Sequence, residues 1–209
     1  MAAQNLPGLG VSERSIFLNI KNSKILYKPS KEEEVFYNYI AGRLTKIAER
    51  TQDINGKTIV FYDFLLENSG VRYKLSTIKD SNNSRSIINS LMGVENLAIA
   101  EIKIAPYENK NGFTNIAVYA NGQKADWFVE SKDLPKIEEV KLRNGNVVHD
   151  SGELVAYFEK FVKELNSRLD RELDPRTGQP AEPIYAGDDI PGYMDNGSRI
   201  DCGSEGGLG

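Results

Sequence analysis

From Ile16 to Tyr27 apolar and polar positions alternate on both sides of Lys21-Asn22-Ser23, with Ile16, Leu18 and Ile20 before it and Ile25 and Tyr27 after it. A period of two broken by a short polar stretch predicts a small hairpin. Residues 28–34, KPSKEEE, form a polar break. Beyond it the alternation strengthens. Ile40, Gly42 and Leu44 fall on one side of a strand, and Tyr39, Ala41, Arg43 and Thr45 on the other. After an Asn55-Gly56 turn signal, Val60, Tyr62, Phe64 and Leu66 share one face, and Lys57, Ile59, Phe61 and Asp63 the opposite one. Asn68-Ser69-Gly70 then leads into a third strand, in which Val71, Tyr73 and Leu75 oppose Arg72, Lys74 and Ser76. Three period-two segments joined by tight turns predict a meander.

The period then changes. Ile87, Ile88, Leu91 and Met92 have helical spacing, residues 81–84 supply N-cap side chains, and Gly93 stands where a helix would end. Two further strands, LAIAEIKIAPY (97–107) and FTNIAVYA (113–120), flank the polar loop ENKNG. Three strands, one helix and two strands is the order of the OB-fold, a small Greek-key barrel. Asn121-Gly122 follows, then a second hairpin with an Asn144-Gly145 turn, then an amphipathic helix over 151–173. Its stripe is Leu154, Val155, Phe158, Phe161, Val162, Leu165 and Leu169. Asp150 and Glu153 have capping-box spacing, and Pro175 ends the pattern. The expected fold is therefore mainly β with α. It is a five-stranded OB-fold Greek-key barrel (35–130) preceded by an N-terminal extension with a short hairpin (1–34). A hairpin and amphipathic helix (131–173) follow, the helix packing on the barrel or on a second subunit, so a homo-oligomer is open.

Charge separates the last segment from the rest. Residues 174–209 hold seven acids and two bases, a balance of −5 in a chain of net −4, which leaves +1 for residues 1–173. Eight of the 18 glycines and four of the eight prolines lie in the same stretch, so a disordered acidic tail is expected. Apolar runs such as Leu97 to Ala100 are too short to span a bilayer, and residues 1–15 carry no basic and apolar leader pattern. One cysteine, Cys202, excludes an internal disulfide framework and a cysteine-ligated metal site. No membrane association and a reducing cytoplasm are the expectation.

The same residues argue against catalysis. His149 is the only histidine, there is no GxxxxGK[ST] phosphate loop, and no Ser-His-Asp or Cys-His set can be assembled. The strand carboxylates Asp63, Glu101 and Glu139 read as solvent-facing. Neither enzyme activity nor any catalytic residue, metal or cofactor is expected.

The segments NYIAGRLTKIAERT, NGKTIVFYDFLLE, VRYKLSTI and LAIAEIKIAPYENKNGFTNIAVYA, followed far downstream by DDIP, stand in a telling order. In that order the chain resembles the single-stranded DNA-binding proteins of bacterial and phage replication, over about residues 35–128 plus the tail motif. The resemblance implies an OB-fold that coats single strands in replication, recombination and repair. It implies an aromatic, Tyr107 here, just before the last hairpin loop, and an acidic tip that recruits replication and recombination partners. The tip residues here are Asp188, Asp189, Ile190, Pro191 and Tyr193. In such proteins the tip ends the chain with Phe after Pro. Here Gly192 and Tyr193 follow Pro191, and 16 more residues run to Gly209. These departures suit a divergent phage member, which would act in the host cytoplasm.

Sequence-independent strand binding needs cations along the phosphates and flat side chains under the bases. The polar strand parity supplies both: Tyr39 and Arg43, Lys57 and Phe61, Arg72 and Lys74, with Lys103, Tyr107 and Lys110 on the last hairpin and its loop. Tyr62 and Tyr73 have core parity, and Trp127 reads as a packing residue. Two other readings fit the same pattern. One is an RNA-binding OB-fold protein. The other is a non-enzymatic β-rich structural or adaptor protein, such as a virion component, whose alternating sheet faces are simply solvated.

Overall fold

Tight turns fix the strand registers. Asn22-Ser23, Asn55-Gly56, Ser69-Gly70 and Asn121-Gly122 all have positive φ at both positions, the conformation of the type I′ turn whose twist matches that of antiparallel strands. The computed structural model describes residues 15–141 and 147–172. In chain order the elements begin with strands β1 (Ile16–Lys21), β2 (Lys24–Tyr27), β3 (Val35–Tyr37), β4 (Ile40–Ile54), β5 (Lys57–Asn68) and β6 (Val71–Ile78). Helix α1 (Asn82–Met92) follows, then β7 (Glu101–Glu108), β8 (Thr114–Ala120) and β9 (Gln123–Lys124). A 3-10 turn at Ser131–Asp133, the hairpin β10 (Glu138–Lys141) and β11 (Val147–Asp150), and helix α2 (Gly152–Glu172) complete the described chain. The Asn144-Gly145 turn and the acidic tail lie outside the described residues.

The protein is mainly β, with two helices and one large mixed sheet. Nine strands run in the order β3-β2-β1-β6-β5-β4-β7-β8-β9, and β10 pairs with β11 separately. Within the large sheet β7-β4-β5-β6 is the fourth-first-second-third order of a Greek key. The sheet is not closed: among the described residues no ladder joins β6 to β8. The free edge of β6 is taken by the N-terminal hairpin instead, with Ile16–Asn19 running parallel to Tyr73–Ser76. The sheet still curls. β2 comes within contact of β7, and the hydroxyls of Ser23 and Thr114 are 2.9 Å apart.

The curl depends on a bend in β4. Residues 40–43 pair with β7, while the remainder pairs with β5, with a register shift between Leu44 and Lys46. Gly42 sits at this crossing. A Cβ there would meet the Glu67 carbonyl oxygen at 2.7 Å, closer than such atoms can approach, so only glycine fits. Beyond the bulge β4 has left β7, and one of its edges is unpaired. Asn166 of α2 covers that edge: the Ile47 N–H donates to Asn166 Oδ1 (2.9 Å), and Asn166 Nδ2 donates to the Ile47 carbonyl (2.8 Å).

Leu18, Ile25, Ile40, Leu44, Ile47, Tyr62, Phe64, Leu66, Leu75, Ile102, Ile104 and Val118 line the concave side of the sheet. Ile87, Ile88 and Leu91 of α1 join them, as do Leu154, Phe158, Val162, Leu165 and Leu169 of α2. The helix expected after residue 81 starts with Ser81 as N-cap, its hydroxyl accepting from the Ser84 N–H. The strand expected from Leu97 begins only at Glu101. Leu97, Ala98 and Ala100 are buried, but in a tight turn where the Ile99 and Ala100 N–H groups both donate to the Asn96 carbonyl. Their apolar run therefore reflects core packing instead of strand pairing. The expected capping box at Asp150 is shifted as well: Asp150 accepts from the Gly152 N–H, while Ser151 donates to Asp80.

Charge also ties α2 to the sheet. Lys79, just beyond β6, reaches Glu49 (2.7 Å) and Glu159 of α2 (2.6 Å), with its ammonium 5.6 Å from the Tyr62 ring centre. Burial opposes the charge on Lys79, but hydrogen bonds to Glu159 and Glu49 outweigh it and hold the ammonium above the ordinary lysine range. The Lys79 hydrogen bond likewise keeps Glu159 below the usual carboxylate range. Among the described residues, no helix is long and apolar enough to cross a membrane.

Asn166→Ala leaves the Ile47 N–H and C=O without partners under a packed helix. It is expected to lower unfolding free energy by about 1–3 kcal/mol, read as a lower urea midpoint with unchanged slope.

Candidate nucleic-acid interface

The convex face of β1-β6-β5-β4 carries the chemistry. The registers align Phe17, Lys74, Leu65 and Lys46 in one row across four strands. The next row is Asn19, Ser76, Asp63 and Ala48, and the third is Ile78, Phe61 and Arg50. Cations and flat rings are therefore neighbours. The Lys74 ammonium lies 4.9 Å from the Phe17 ring centre, and the Arg50 guanidinium carbon 4.7 Å from that of Phe61. Phe17 is 61% exposed, an unusual position for a phenylalanine that packs on no core.

Asp63 organises this face. The sequence suggests a solvent-facing carboxylate, yet Asp63 is only 1% exposed. Its three partners cover it. Ser76 Oγ donates to Oδ1 (2.6 Å), Arg50 Nε donates to Oδ2 (3.1 Å), and Lys74 Nζ stands 3.5 Å from Oδ2. One buried anion thus anchors the two cations that overlie the two rings. A buried charge is tolerated when it is paired and hydrogen-bonded. Arg50 Nη1 also donates to Gln52 Oε1 (2.7 Å), and the side chains of Arg50 and Lys74 are partly exposed.

The other sequence-predicted residues fall in several places. Arg72 is exposed at the start of β6, beside Glu67 in register, and Arg43 pairs with Glu67 at 3.5 Å. Lys57 is exposed at the tip of the β4–β5 hairpin. Lys103 lies between two rings, 4.7 Å from the Tyr39 centre and 4.8 Å from that of Tyr119. Tyr39 also borders an apolar pocket of about 330 Å³ that includes Tyr37 and Tyr73. Lys110 is exposed in the β7–β8 loop. Tyr107, farther along β7, lines a separate cleft with Trp127, which is 45% exposed instead of packed. The structure places Phe61 and Lys74 on one sheet face, two rows apart, groups Tyr39 with Lys103, and separates Tyr107 and Lys57 from both. Asp188, Asp189, Ile190, Pro191 and Tyr193 lie outside the described residues.

Phe17, Lys46, Arg50 and Tyr119 belong to these groupings but were not singled out from the sequence. A signal existed for Phe17, an aromatic on the polar parity of the Ile16–Ile20 alternation. Lys46 and Arg50 were hidden by the bulge, which shifts the parity of β4 so that even-numbered positions face outward after Leu44. Among the described residues no group of three or more His, Cys, Asp or Glu is placed to hold a metal ion. His149 is exposed on β11, 4.0 Å from Glu139. Comparison with known proteins found no matching family model, curated protein or solved structure.

Asp63→Ala removes the acceptor shared by Ser76, Arg50 and Lys74. Because both cations can regain water, the expected loss is about 1–3 kcal/mol of unfolding free energy, measured by urea titration.

Proposed function

We propose that this protein binds single-stranded DNA without sequence preference, on the convex face of an OB-type sheet, and is not an enzyme. The observation that carries the reading is the interleaving of Lys46, Arg50 and Lys74 with Phe17 and Phe61 on one open sheet face around buried Asp63. The retained order of three strands, a helix and two strands, with β4 joining the meander to the β7–β8 hairpin, supports the OB-type assignment.

The mechanism is an exchange. In the free protein each ring is flanked by a cation. A cation–ring contact at an exposed site contributes about 0.5–1 kcal/mol, and a base stacked on such a ring about 1–3 kcal/mol. The base therefore displaces the cation, and the cation turns to the phosphate of the same strand. Counterion release accompanies that second contact and makes affinity salt-dependent. Any base offers a flat face and every nucleotide a phosphate, so the exchange reads no sequence. In this proposal the segment around Asp188–Tyr193 recruits replication or recombination partners. Its carboxylates would meet a partner's cations, and Ile190, Pro191 and Tyr193 an apolar pocket.

Titration with fluorescent oligo-dT at two salt concentrations tests the reading, and absence of binding at low salt contradicts it. Lys74→Ala is expected to reduce the slope of log affinity against log salt by about 1. Phe17→Ala is expected to weaken binding by about 1–3 kcal/mol with the slope kept.

A further inference from the structure

A second feature of the surface is unused by the sheet-face mechanism. Between α1, the end of the β7–β8 hairpin and the segment after β9 lies a cleft of about 570 Å³, within the range of small-ligand sites, about 300–1,000 Å³. Its walls include two aromatic rings, Tyr107 and Trp127, each 45% exposed. Two cations, Arg85 and Lys124, and the amide of Asn115 also line it, opposed by one carboxylate, Asp126. Arg85 is held by Asp80, while Lys124 makes no ion pair among the described residues.

The segment that presents Trp127 is fixed in place. Asn89 on α1 is buried, and its side chain clamps the next backbone amide but one: the Val129 N–H donates to Asn89 Oδ1 (3.0 Å) and Asn89 Nδ2 donates to the Val129 carbonyl (2.8 Å). The Phe128 N–H also donates to the Asn89 carbonyl, and the Phe128 ring meets Phe161 of α2 edge-on at 5.9 Å. Half-exposed rings on a clamped backbone lose little freedom when something stacks on them.

The cleft is also continuous with the sheet. Lys103 and Tyr107 lie on the same side of β7, four residues apart, or roughly 13 Å along a strand. Tyr39, Lys103 and Tyr119 thus form a stepping stone between the convex face and Tyr107.

We infer that this cleft is a second nucleobase-binding site, taking one or two nucleotides of the strand whose remainder lies on the sheet face; the inference rests on the single-strand-binding reading. Tyr107 and Trp127 supply the stacking surfaces, Lys124 meets the phosphate, Asn115 can hydrogen-bond a base edge, and Asp126 keeps the phosphates on the Lys124 side.

Trp127 is the only tryptophan in the chain, so its emission reports this cleft. The test follows anisotropy of an end-labelled, 5-bromouracil-substituted deoxyoligonucleotide together with tryptophan emission of the full chain. Photo-crosslinked peptides are then mapped. The expected result is quenching of Trp127 in parallel with the anisotropy rise, with crosslinks at Tyr107 or Trp127, and loss of most of that quenching in Lys124→Glu. Rising anisotropy with unchanged tryptophan emission, or quenching with crosslinks confined to β1, β5 and β6, overturns the cleft site and leaves the sheet-face reading standing. No anisotropy change overturns both.

Discussion

The structure turns on the bend of β4 at Gly42. Where β4 passes from β7 to β5, the Glu67 carbonyl comes so close that no side chain fits. Three consequences follow from that approach and the adjoining bulge. The sheet curls, so that its concave side holds the core together with α1 and α2. One edge of β4 is freed, and α2 covers it through Asn166. The parity of β4 shifts, so that Ile47 turns inward and Lys46 and Arg50 turn out beside Leu65 and Phe61. The core, the helix seat and the cationic face share one cause in the backbone.

The convex face shows how a body of net charge near zero can still present clustered cations. Residues 1–173 balance to +1, so overall charge supplies little long-range attraction. What the sheet provides is local order. Asp63 is buried where three strands meet and fixes Arg50 and Lys74 over Phe61 and Phe17. Both cations are held at defined places on the face, and the rings are kept apart from one another. A buried carboxylate is a costly way to place two cations, and its near-complete coverage by Ser76, Arg50 and Lys74 offsets that cost.

Much of this architecture was legible in the chain. The Asn-Gly and Ser-Gly turns, the period-two alternation of the meander, the Ser81 cap and the apolar stripe of α2 all have local causes, and local causes can be read from spacing. The paired features could not be. The parallel addition of β1 to β6 depends on which edge is free. The burial of Asp63 depends on partners 13 residues away on either side, and an isolated acid on a strand looks the same whether covered or solvated. Of the candidate binding residues named from sequence, Phe61 and Lys74 share a face because strand parity is local. Tyr107 parts from them because it lies beyond the part of β7 that pairs with β4, at the end of the β7–β8 hairpin beside Trp127. Trp127 itself read as packing because its segment lies beyond the last long strand, and only the Asn89 clamp shows why it stands half-exposed.

The central claim is that the strand lies on the convex face and takes over the cations resting on the rings. Lysine acylation followed by mass spectrometry, with and without oligo-dT, measures this most directly. Lys46 and Lys74 share one row of that face, whereas Lys31, Lys132 and Lys160 are exposed elsewhere. The account predicts that oligo-dT protects Lys46 and Lys74 while Lys31, Lys132 and Lys160 keep their reactivity. Equal reactivity of Lys46 and Lys74 in the free and DNA-saturated protein would contradict it.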